Sequence, residues 1–261
     1  MQRICWWYWR AELVLYAEQE SIHRPALLAS VADLAEVELA LPLADLIDLK
    51  DPNQGALGAW PLPRIAEAVR QIDGRRPVSA TVGDLPPEAA SLAAAALATA
   101  AEGVDIVKLG FFAGGDHVRL AQALEPVARR GIALVAVLMA DQGPDVAVIP
   151  ALAAAGFRGV MLDTADKMAG GLLTHWSTAK LAQFVANARQ HGLLTGLAGS
   201  LRVGDVGILA PLLPDFLGFR GALCSSGRNG ALDPGRLAAV RVALDAARSP
   251  AEAAQSFARS T

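Results

Sequence analysis

The chain has 261 residues, of which 53% are hydrophobic and 19% are charged, with a formal net charge of −3. This length suits one large α/β domain or two small ones, and the apolar fraction is ample for a sizeable core. The slight negative charge argues against a nucleic-acid partner, and no apolar run reaches the roughly 18 residues of a membrane span, so no membrane partner is expected.

The first 25 residues differ in composition from the rest of the chain. They hold three of the five tryptophans and both tyrosines. Four charged residues between positions 10 and 20 interrupt the apolar stretch that a signal peptide would need. We expect residues 1–25 to be an N-terminal extension of unknown role, residues 26–250 a single catalytic domain, and residues 251–261 a C-terminal tail.

From Ala26 onward, short apolar runs typical of β-strands alternate with Ala- and Leu-rich helical stretches. This alternation predicts parallel strands, because a parallel return to the same sheet requires a crossover connection. Eight strand–helix units within residues 26–250 match the size of a (β/α)8 barrel. The predicted strands are 27–32, 46–50, 78–82, 105–110, 133–139, 159–164, 194–200 and 216–221.

The alternative architecture for such a pattern is a doubly wound open sheet. No G-x-G-x-x-G segment opens a helix after the first predicted strand, and no P-loop occurs in the chain. The sequence therefore predicts an α/β protein, a single (β/α)8 TIM barrel with a short N-terminal extension.

Lysine is rare in this chain, and its placement indicates a chemical use. Four of the 23 basic residues are lysines, and three of these, Lys50, Lys108 and Lys167, stand at or just beyond the ends of predicted strands. Arginine cannot lose its proton in a protein, whereas a neutral lysine amine can act as a nucleophile or a general base. Chance placement and structural pairing with nearby aspartates are the alternatives.

Strand alternation brings these lysines together with two aspartates. If Ile47 and Leu49 pack outward against helices, their neighbours in the strand point into the barrel. The carboxyl ends of the strands are where barrel enzymes carry catalytic residues. Ammonium groups that lie close together lower one another's pKa. A lysine with a lowered pKa is suited to nucleophilic attack or proton transfer near neutral pH. The catalytic candidates are Asp48, Lys50, Lys108, Asp163 and Lys167.

The loops after the last two strands are rich in glycine and serine, in the segments "LAGSLR" and "FRGALCSSGRNG". Barrels commonly bind phosphate in these loops, where backbone N–H groups and hydroxyls approach the phosphate oxygens. Ordinary turns are the alternative, since glycine and serine also mark turns. The phosphate-binding candidates are Gly199, Ser200, Gly221, Ser225, Ser226 and Gly227.

Cysteine and histidine give no sign of a metal centre. Cys5 and Cys224 are far apart, which is typical of a reducing compartment, and the four histidines lack metal-ligand spacing. We therefore expect a cytoplasmic protein with no metal and no other cofactor. The sequence leaves homo-oligomerisation open.

Six segments, taken together, resemble the (5-formylfuran-3-yl)methyl phosphate synthase family, also called 4-(hydroxymethyl)-2-furancarboxaldehyde-phosphate synthase, of methanofuran biosynthesis. The resemblance extends from about Leu27 to about Ala247, while residues 1–26 have no counterpart. The segments, in order, are "LIDLKDPNQGALGAWP", "PVSATVGDLP", "DIVKLGFF", "VMLDTADK", "GLAGSL" and "GFRGALC".

The resemblance implies a TIM-barrel lyase that condenses two glyceraldehyde 3-phosphate molecules into a phosphorylated furan aldehyde for one-carbon metabolism. It implies that Lys50 is the Schiff-base lysine and Lys108 the proton acceptor. Asp48, Asp163 and Lys167 match other functionally important positions of the family. The expected partner is therefore a small-molecule triose phosphate.

Two other functions stay open at the level of sequence. One is a phosphate-binding barrel with isomerase or epimerase chemistry and no covalent intermediate, for which three lysines would be surplus. The other is an inactive barrel that serves as a sensor or scaffold, a role that loss of any of the three lysines would have favoured.

Overall fold

The computed structural model describes residues 24–247 of the chain. The expectations for residues 1–23 and 251–261 fall outside the described residues. Within the described part, Arg24 forms ion pairs with Asp45 at 2.9 Å and with Asp245 at 3.0 Å. These contacts attach the start of the described chain to the segment before the second strand and to the last helix.

Eight parallel strands close into a barrel in the order of the sequence, with the first strand paired to the last. The predicted TIM barrel is confirmed. The strands are β1 Ala26–Val31, β2 Leu46–Leu49, β3 Val78–Thr81, β4 Ile106–Phe111, β5 Leu134–Met139, β6 Gly159–Asp163, β7 Leu194–Leu197 and β8 Phe216–Phe219.

Helices connect the strands, and several begin at a side chain that satisfies a free backbone N–H. Asp33, Asp116, Ser177 and Asp233 each accept a hydrogen bond from the backbone N–H three residues later. The helices are α1 Leu34–Ala40, α2 Leu62–Ile72, α3 Ala89–Ala101, α4 His117–Ala128, α5 Ile149–Ala154, α6 Leu172–His175, α7 Thr178–Gln190, α8 Val206–Leu209 and α9 Pro234–Ala246.

The buried apolar side chains form two clusters separated by the wall of the barrel. Ile47 and Leu49 belong to the larger cluster, which packs between the sheet and the helices. Leu46, Ile106 and Met161 belong to the smaller cluster inside the barrel. The alternation predicted for β2 is therefore confirmed, and it turns the polar members of β2, β4 and β6 into the barrel.

Six of the eight strands end one to three residues earlier than the sequence pattern predicted, β5 ends where predicted, and β4 ends one residue later. β7 ends at Leu197 rather than at residue 200, because Gly199 and Ser200 have φ values of 102° and 51°, which turn the chain. A side chain at Gly199 would place its Cβ 3.0 Å from Thr164. The phosphate-binding candidates after β7 consequently lie on a tight turn at the barrel mouth.

No helix among residues 24–247 is long and apolar enough to cross a membrane.

Candidate active site

A cavity of about 560 Å³ opens at the carboxyl ends of the strands. All five predicted catalytic side chains line this cavity, although they come from three different strands and one loop. They are Asp48 and Lys50 at the end of β2, Lys108 in β4, Asp163 at the end of β6 and Lys167 in the loop that follows β6.

Asp48 and Lys108 form a buried ion pair at the floor of the cavity. Lys108 Nζ lies 2.6 Å from Asp48 Oδ1, and their side chains are 3% and 0% exposed. Two hydroxyls also donate to this carboxylate, from Ser30 at 2.8 Å and from Ser79 at 2.7 Å. A buried carboxylate needs such donors, because burial removes the water that would otherwise solvate it. The serines therefore orient the Asp48 carboxylate toward the Lys108 amine.

Asp163 holds the other two lysines, one on each carboxylate oxygen. Its Oδ2 lies 3.1 Å from Lys50 Nζ, and its Oδ1 lies 2.6 Å from Lys167 Nζ. The backbone N–H of Thr164 donates to Oδ1 at 2.8 Å. Lys167 also donates to the carbonyl and the hydroxyl of Thr164, which fixes the amine beside the strand end. One carboxylate thus positions two amines side by side.

Burial is the main influence on the pKa values of two of these lysines. It lowers the pKa of Lys108, and the charge of Lys50 adds to this effect while Asp48 opposes it. Burial likewise lowers the pKa of Lys167, with Asp163 opposing. For Asp163, burial acts to raise the pKa, but the charges of Lys167 and Lys50 outweigh it and hold the pKa well below its usual range. The cavity therefore contains an ionised carboxylate, Asp163, and two lysines, Lys108 and Lys167, whose pKa values burial lowers.

Four of the six phosphate-binding candidates also line the cavity, namely Gly199, Ser200, Gly221 and Gly227. The other two, Ser225 and Ser226, lie in the loop after β8 and are not among its lining residues. The Ser225 hydroxyl instead donates to the carbonyl of Ala231 at 3.4 Å, within its own loop. The sequence pattern could not show this, because it does not tell which residues of a loop face the mouth.

Sequence reasoning missed the arginines of this region. Arg202, Arg228 and Arg236 all line the cavity, next to the glycines and serine that were predicted to bind phosphate. Arginine is well suited to bind phosphate through several N–H groups at once. Arg202 and Arg228 lie within the segments "LAGSLR" and "FRGALCSSGRNG". Their position beside the predicted phosphate-binding residues could have identified them as candidates from the sequence.

Arg228 also joins the loops that follow β8 and β2. Its Nη2 donates to the carbonyl of Gly55 at 2.8 Å. Gly55 is held in turn by Asp84 beyond β3, whose carboxylate accepts the backbone N–H groups of Ala56 at 2.7 Å and Leu57 at 2.6 Å. Gly55 has a φ of 100°, and a Cβ there would lie 2.1 Å from Asp84 Oδ2. Only glycine therefore fits this turn.

A second buried ion pair anchors the loop after β8. Arg220 contacts the carboxylate of Glu36 in α1, and these side chains are 10% and 6% exposed. Arg220 also donates to the backbone carbonyls of Arg228 at 2.8 Å and Gly230 at 2.9 Å. Glu36 accepts the backbone N–H of Leu232 at 2.9 Å. The loop that carries Arg228 is thereby fixed on both sides of this residue.

In the part of the chain that the structure describes, no group of three or more His, Cys, Asp or Glu side chains could hold a metal ion. The charged groups that line the cavity are amines, carboxylates and guanidinium groups. Buried amines with lowered pKa values are suited to nucleophilic attack on a carbonyl and to proton transfer.

Comparison with known proteins identifies the family. The family model described as 4-HFC-P synthase matches residues 27–241. A Methylorubrum extorquens protein provisionally named (5-formylfuran-3-yl)methyl phosphate synthase is 44% identical over 227 residues, covering 85% of this chain and 93% of its own. The (5-formylfuran-3-yl)methyl phosphate synthase of Methanocaldococcus jannaschii is 34% identical over 222 residues, covering 79% and 94%. The chain belongs to the 4-HFC-P synthase family, and the resemblance read from the sequence is confirmed.

Among solved structures, the barrel is similar to 3-hexulose-6-phosphate synthase from Salmonella typhimurium, with a TM-score of 0.63 and 15% identity. The match covers 85% of this chain and 100% of that one. At this level of identity, the likeness establishes a shared fold only.

The turn at Gly55 generates a prediction about loop stability. Asp84→Asn leaves one acceptor oxygen in place of two, so one of the N–H groups of Ala56 and Leu57 faces an amide NH2. We expect a loss of about 1 kcal/mol in the free energy of unfolding and faster amide hydrogen exchange at residues 55–57. Asp145→Asn, where the carboxylate accepts a single exposed N–H from Ala147, is the control. Unchanged exchange at residues 55–57 would show that Asp84 does not hold the turn.

Proposed function

We propose that this member of the 4-HFC-P synthase family condenses two molecules of glyceraldehyde 3-phosphate into (5-formylfuran-3-yl)methyl phosphate. The observation that carries the proposal is the convergence of Lys50, Lys108 and Lys167 on two carboxylates in one cavity. The relatives named for this activity support it. The reaction joins two three-carbon phosphates and releases one phosphate and two waters, so it needs carbon–carbon bond formation, proton transfer and elimination.

Lys50 is the proposed nucleophile. Its amine attacks the aldehyde of one triose phosphate, and loss of water leaves an iminium, which acidifies the C–H bond of the adjacent carbon. Lys50 stands at the end of β2, is 7% exposed and lies on the wall of the cavity. Asp163, 3.1 Å away, keeps the amine from swinging out of the site.

Lys108 is the proposed proton acceptor. Because burial lowers its pKa, a larger fraction of this lysine is neutral near neutrality than for an exposed lysine. Asp48 opposes this effect and stabilises the ammonium that forms once Lys108 has taken a proton. The pair can therefore pass between its neutral and charged forms during one turnover.

Lys167 is the proposed acid for the dehydration steps. It stands beside Lys50 on the same carboxylate, and its three contacts to Asp163 and Thr164 orient the amine. Protonation of a departing hydroxyl by an ammonium group is ordinary general acid catalysis. Asp163 and Asp48 set the charge states of the three lysines.

The proposed phosphate subsite lies at the ends of β7 and β8. Gly199, Ser200, Gly221 and Gly227 line the cavity there, and Gly199, Ser200 and Gly227 have positive φ values that turn the loops at this point. The nearby side chains of Arg202 and Arg236 add positive charge. This is the region in which barrel enzymes commonly hold phosphate.

Incubation with glyceraldehyde 3-phosphate alone tests the proposal, with mass spectrometry for the furan aldehyde phosphate. Borohydride added during turnover should label Lys50 covalently, because it reduces an iminium. An isomerase without a covalent intermediate would convert the substrate but escape labelling. An inactive barrel would show neither product nor label.

Lys50→Arg is expected to abolish turnover and borohydride labelling while the fold persists. Arginine keeps the charge and most of the bulk, but it cannot supply a neutral amine. Lys180→Arg is the matched control, since Lys180 is exposed, rests over the ring of Trp176 and does not line the cavity. Retention of more than a few per cent of the wild-type rate by Lys50→Arg would contradict the Schiff-base role.

Ser200→Asp is expected to raise the Michaelis constant about tenfold or more, because a carboxylate would repel the substrate phosphate at close range. Ser200 has a φ of 51°, a conformation that Asp and Asn tolerate better than most residues. Ser200→Asn therefore controls for shape, and it should change the Michaelis constant much less. Equal constants for the two variants would place the phosphate elsewhere.

The pH dependence of the rate should report on Lys108. The base must be neutral, so the rate rises with pH as Lys108 loses its proton. Asp48→Asn removes a charge that raises the pKa of Lys108, and the acidic limb should therefore move to lower pH. Ser79→Ala keeps the Asp48 charge and should leave the limb near its wild-type position. A limb that moves to higher pH in Asp48→Asn would rule out this assignment.

A further inference from the structure

The structure of the proposed product indicates which of the two triose phosphates loses its phosphate. One half of the molecule bears the formyl group and no phosphate, and the other half bears the phosphorylated CH2 group. An aldehyde that has formed an iminium with Lys50 is regenerated when the product is hydrolysed from the lysine. The formyl half is thus the half that was bound to Lys50, and the leaving phosphate departs from it.

Electron flow points to the same half. Removal of the proton next to the iminium leaves its electron pair in an enamine. The enamine then expels the phosphate from the third carbon, which leaves with the C–O electron pair as inorganic phosphate, and the iminium is restored with a new C=C bond beside it. The proton stays on the base, so no oxidant or reductant is needed. This step requires positive charge near the Lys50-bound molecule, away from the subsite that keeps the other phosphate.

Arg228 comes from the loop after β8, next to Gly227, but its side chain extends to the loop after β2, which follows Lys50. Its Nη2 donates to the carbonyl of Gly55, five residues after Lys50 in the loop that follows β2. Two strands, β8 and β1, separate that loop from the turn at Gly199 and Ser200 after β7. Arg228 lines the cavity, and its charge interacts with those of Asp163 and Lys167.

The other cavity-lining arginines are less suited to this task. Arg220 is committed to Glu36 and to backbone carbonyls. Arg202 and Arg236 are exposed, and within residues 24–247 neither side chain is hydrogen-bonded to the loop after β2 as Arg228 is. Among residues 24–247, the guanidinium of Arg228 has one hydrogen-bond partner, Gly55, which leaves other N–H groups for an anion.

We propose that Arg228 is a catalytic residue whose side chain binds and stabilises the phosphate leaving the Lys50-bound triose, on the side of the cavity toward the loop after β2 and away from the turn at Gly199 and Ser200. The inference rests on the proposed function, since it assumes the iminium at Lys50. Asp84 and Gly55 hold the guanidinium in place through the turn at residues 55–57, and the Glu36–Arg220 pair holds the loop it comes from. A preorganised cation of this kind needs no rearrangement when charge develops on the leaving group.

Arg228→Gln tests the inference. We expect kcat to fall about 100-fold, as for loss of a preorganised charge-stabilising donor, while borohydride still labels Lys50 in the presence of glyceraldehyde 3-phosphate. The trapped adduct should retain its phosphate in the variant, whereas adducts that have lost phosphate should form in the wild type. Arg228→Lys keeps the charge without the planar fork and should show a smaller fall. Arg129→Gln, on an exposed side chain of the surface helix end, is the control.

The outcomes separate the two proposals. If the wild type is not labelled at Lys50, the proposed function fails, whatever the variants do. If the wild type is labelled and Arg228→Gln yields dephosphorylated adduct and inorganic phosphate at the wild-type rate, the role of Arg228 is refuted while the proposed function stands. If Arg228→Gln does not fold by circular dichroism, the same adduct analysis on Arg228→Lys decides, with partial accumulation of the phosphorylated adduct expected.

Discussion

Three lysine side chains share one cavity, where their positive charges repel one another. The site depends on their ion pairs with two buried carboxylates. Asp48 forms an ion pair with Lys108, and Asp163 forms ion pairs with both Lys50 and Lys167. Removing ions from water costs free energy that an ion pair only partly recovers. The site is therefore a local cost to stability that the surrounding barrel must offset.

The closed barrel offsets part of this cost, because it supplies each carboxylate with further hydrogen-bond donors. Ser30 from β1 and Ser79 from β3 flank Asp48 from β2, and the three lie in register on adjacent strands. Asp163 gains the backbone N–H of Thr164 as the chain leaves β6. Because these donors belong to the sheet or directly follow it, they hold both carboxylates in fixed positions in the cavity.

The mouth above these pairs is built from loops that hold one another. Asp84 binds the backbone of the loop after β2, and Gly55 in that loop binds Arg228 from the loop after β8. The buried Glu36–Arg220 pair anchors the latter loop to α1. Loops tied in this manner can present polar groups to a substrate without first becoming ordered, which reduces the entropic cost of binding.

The sequence by itself determined the barrel, the approximate strands and the inward face of β2, because strand–helix alternation and the two-residue period of a strand are local properties. It also identified the five side chains that the cavity brings together, since three rare lysines stood at strand ends. The family resemblance rested on these same segments. For the loops, sequence could name glycine and serine but not the direction in which each residue faces.

Only the tertiary structure decided which groups meet. Lys50 pairs with Asp163, 113 residues away, and not with Asp48, two residues before it in the chain. Arg228 reaches Gly55 across 173 residues of chain, and Ser225 turns back into its own loop. Such pairings depend on how the barrel closes and on how the loops cross its mouth. A local sequence pattern does not encode which residues of different strands and loops come close together. The chemistry of each residue was therefore readable from the chain, while its partner was set by the closed fold.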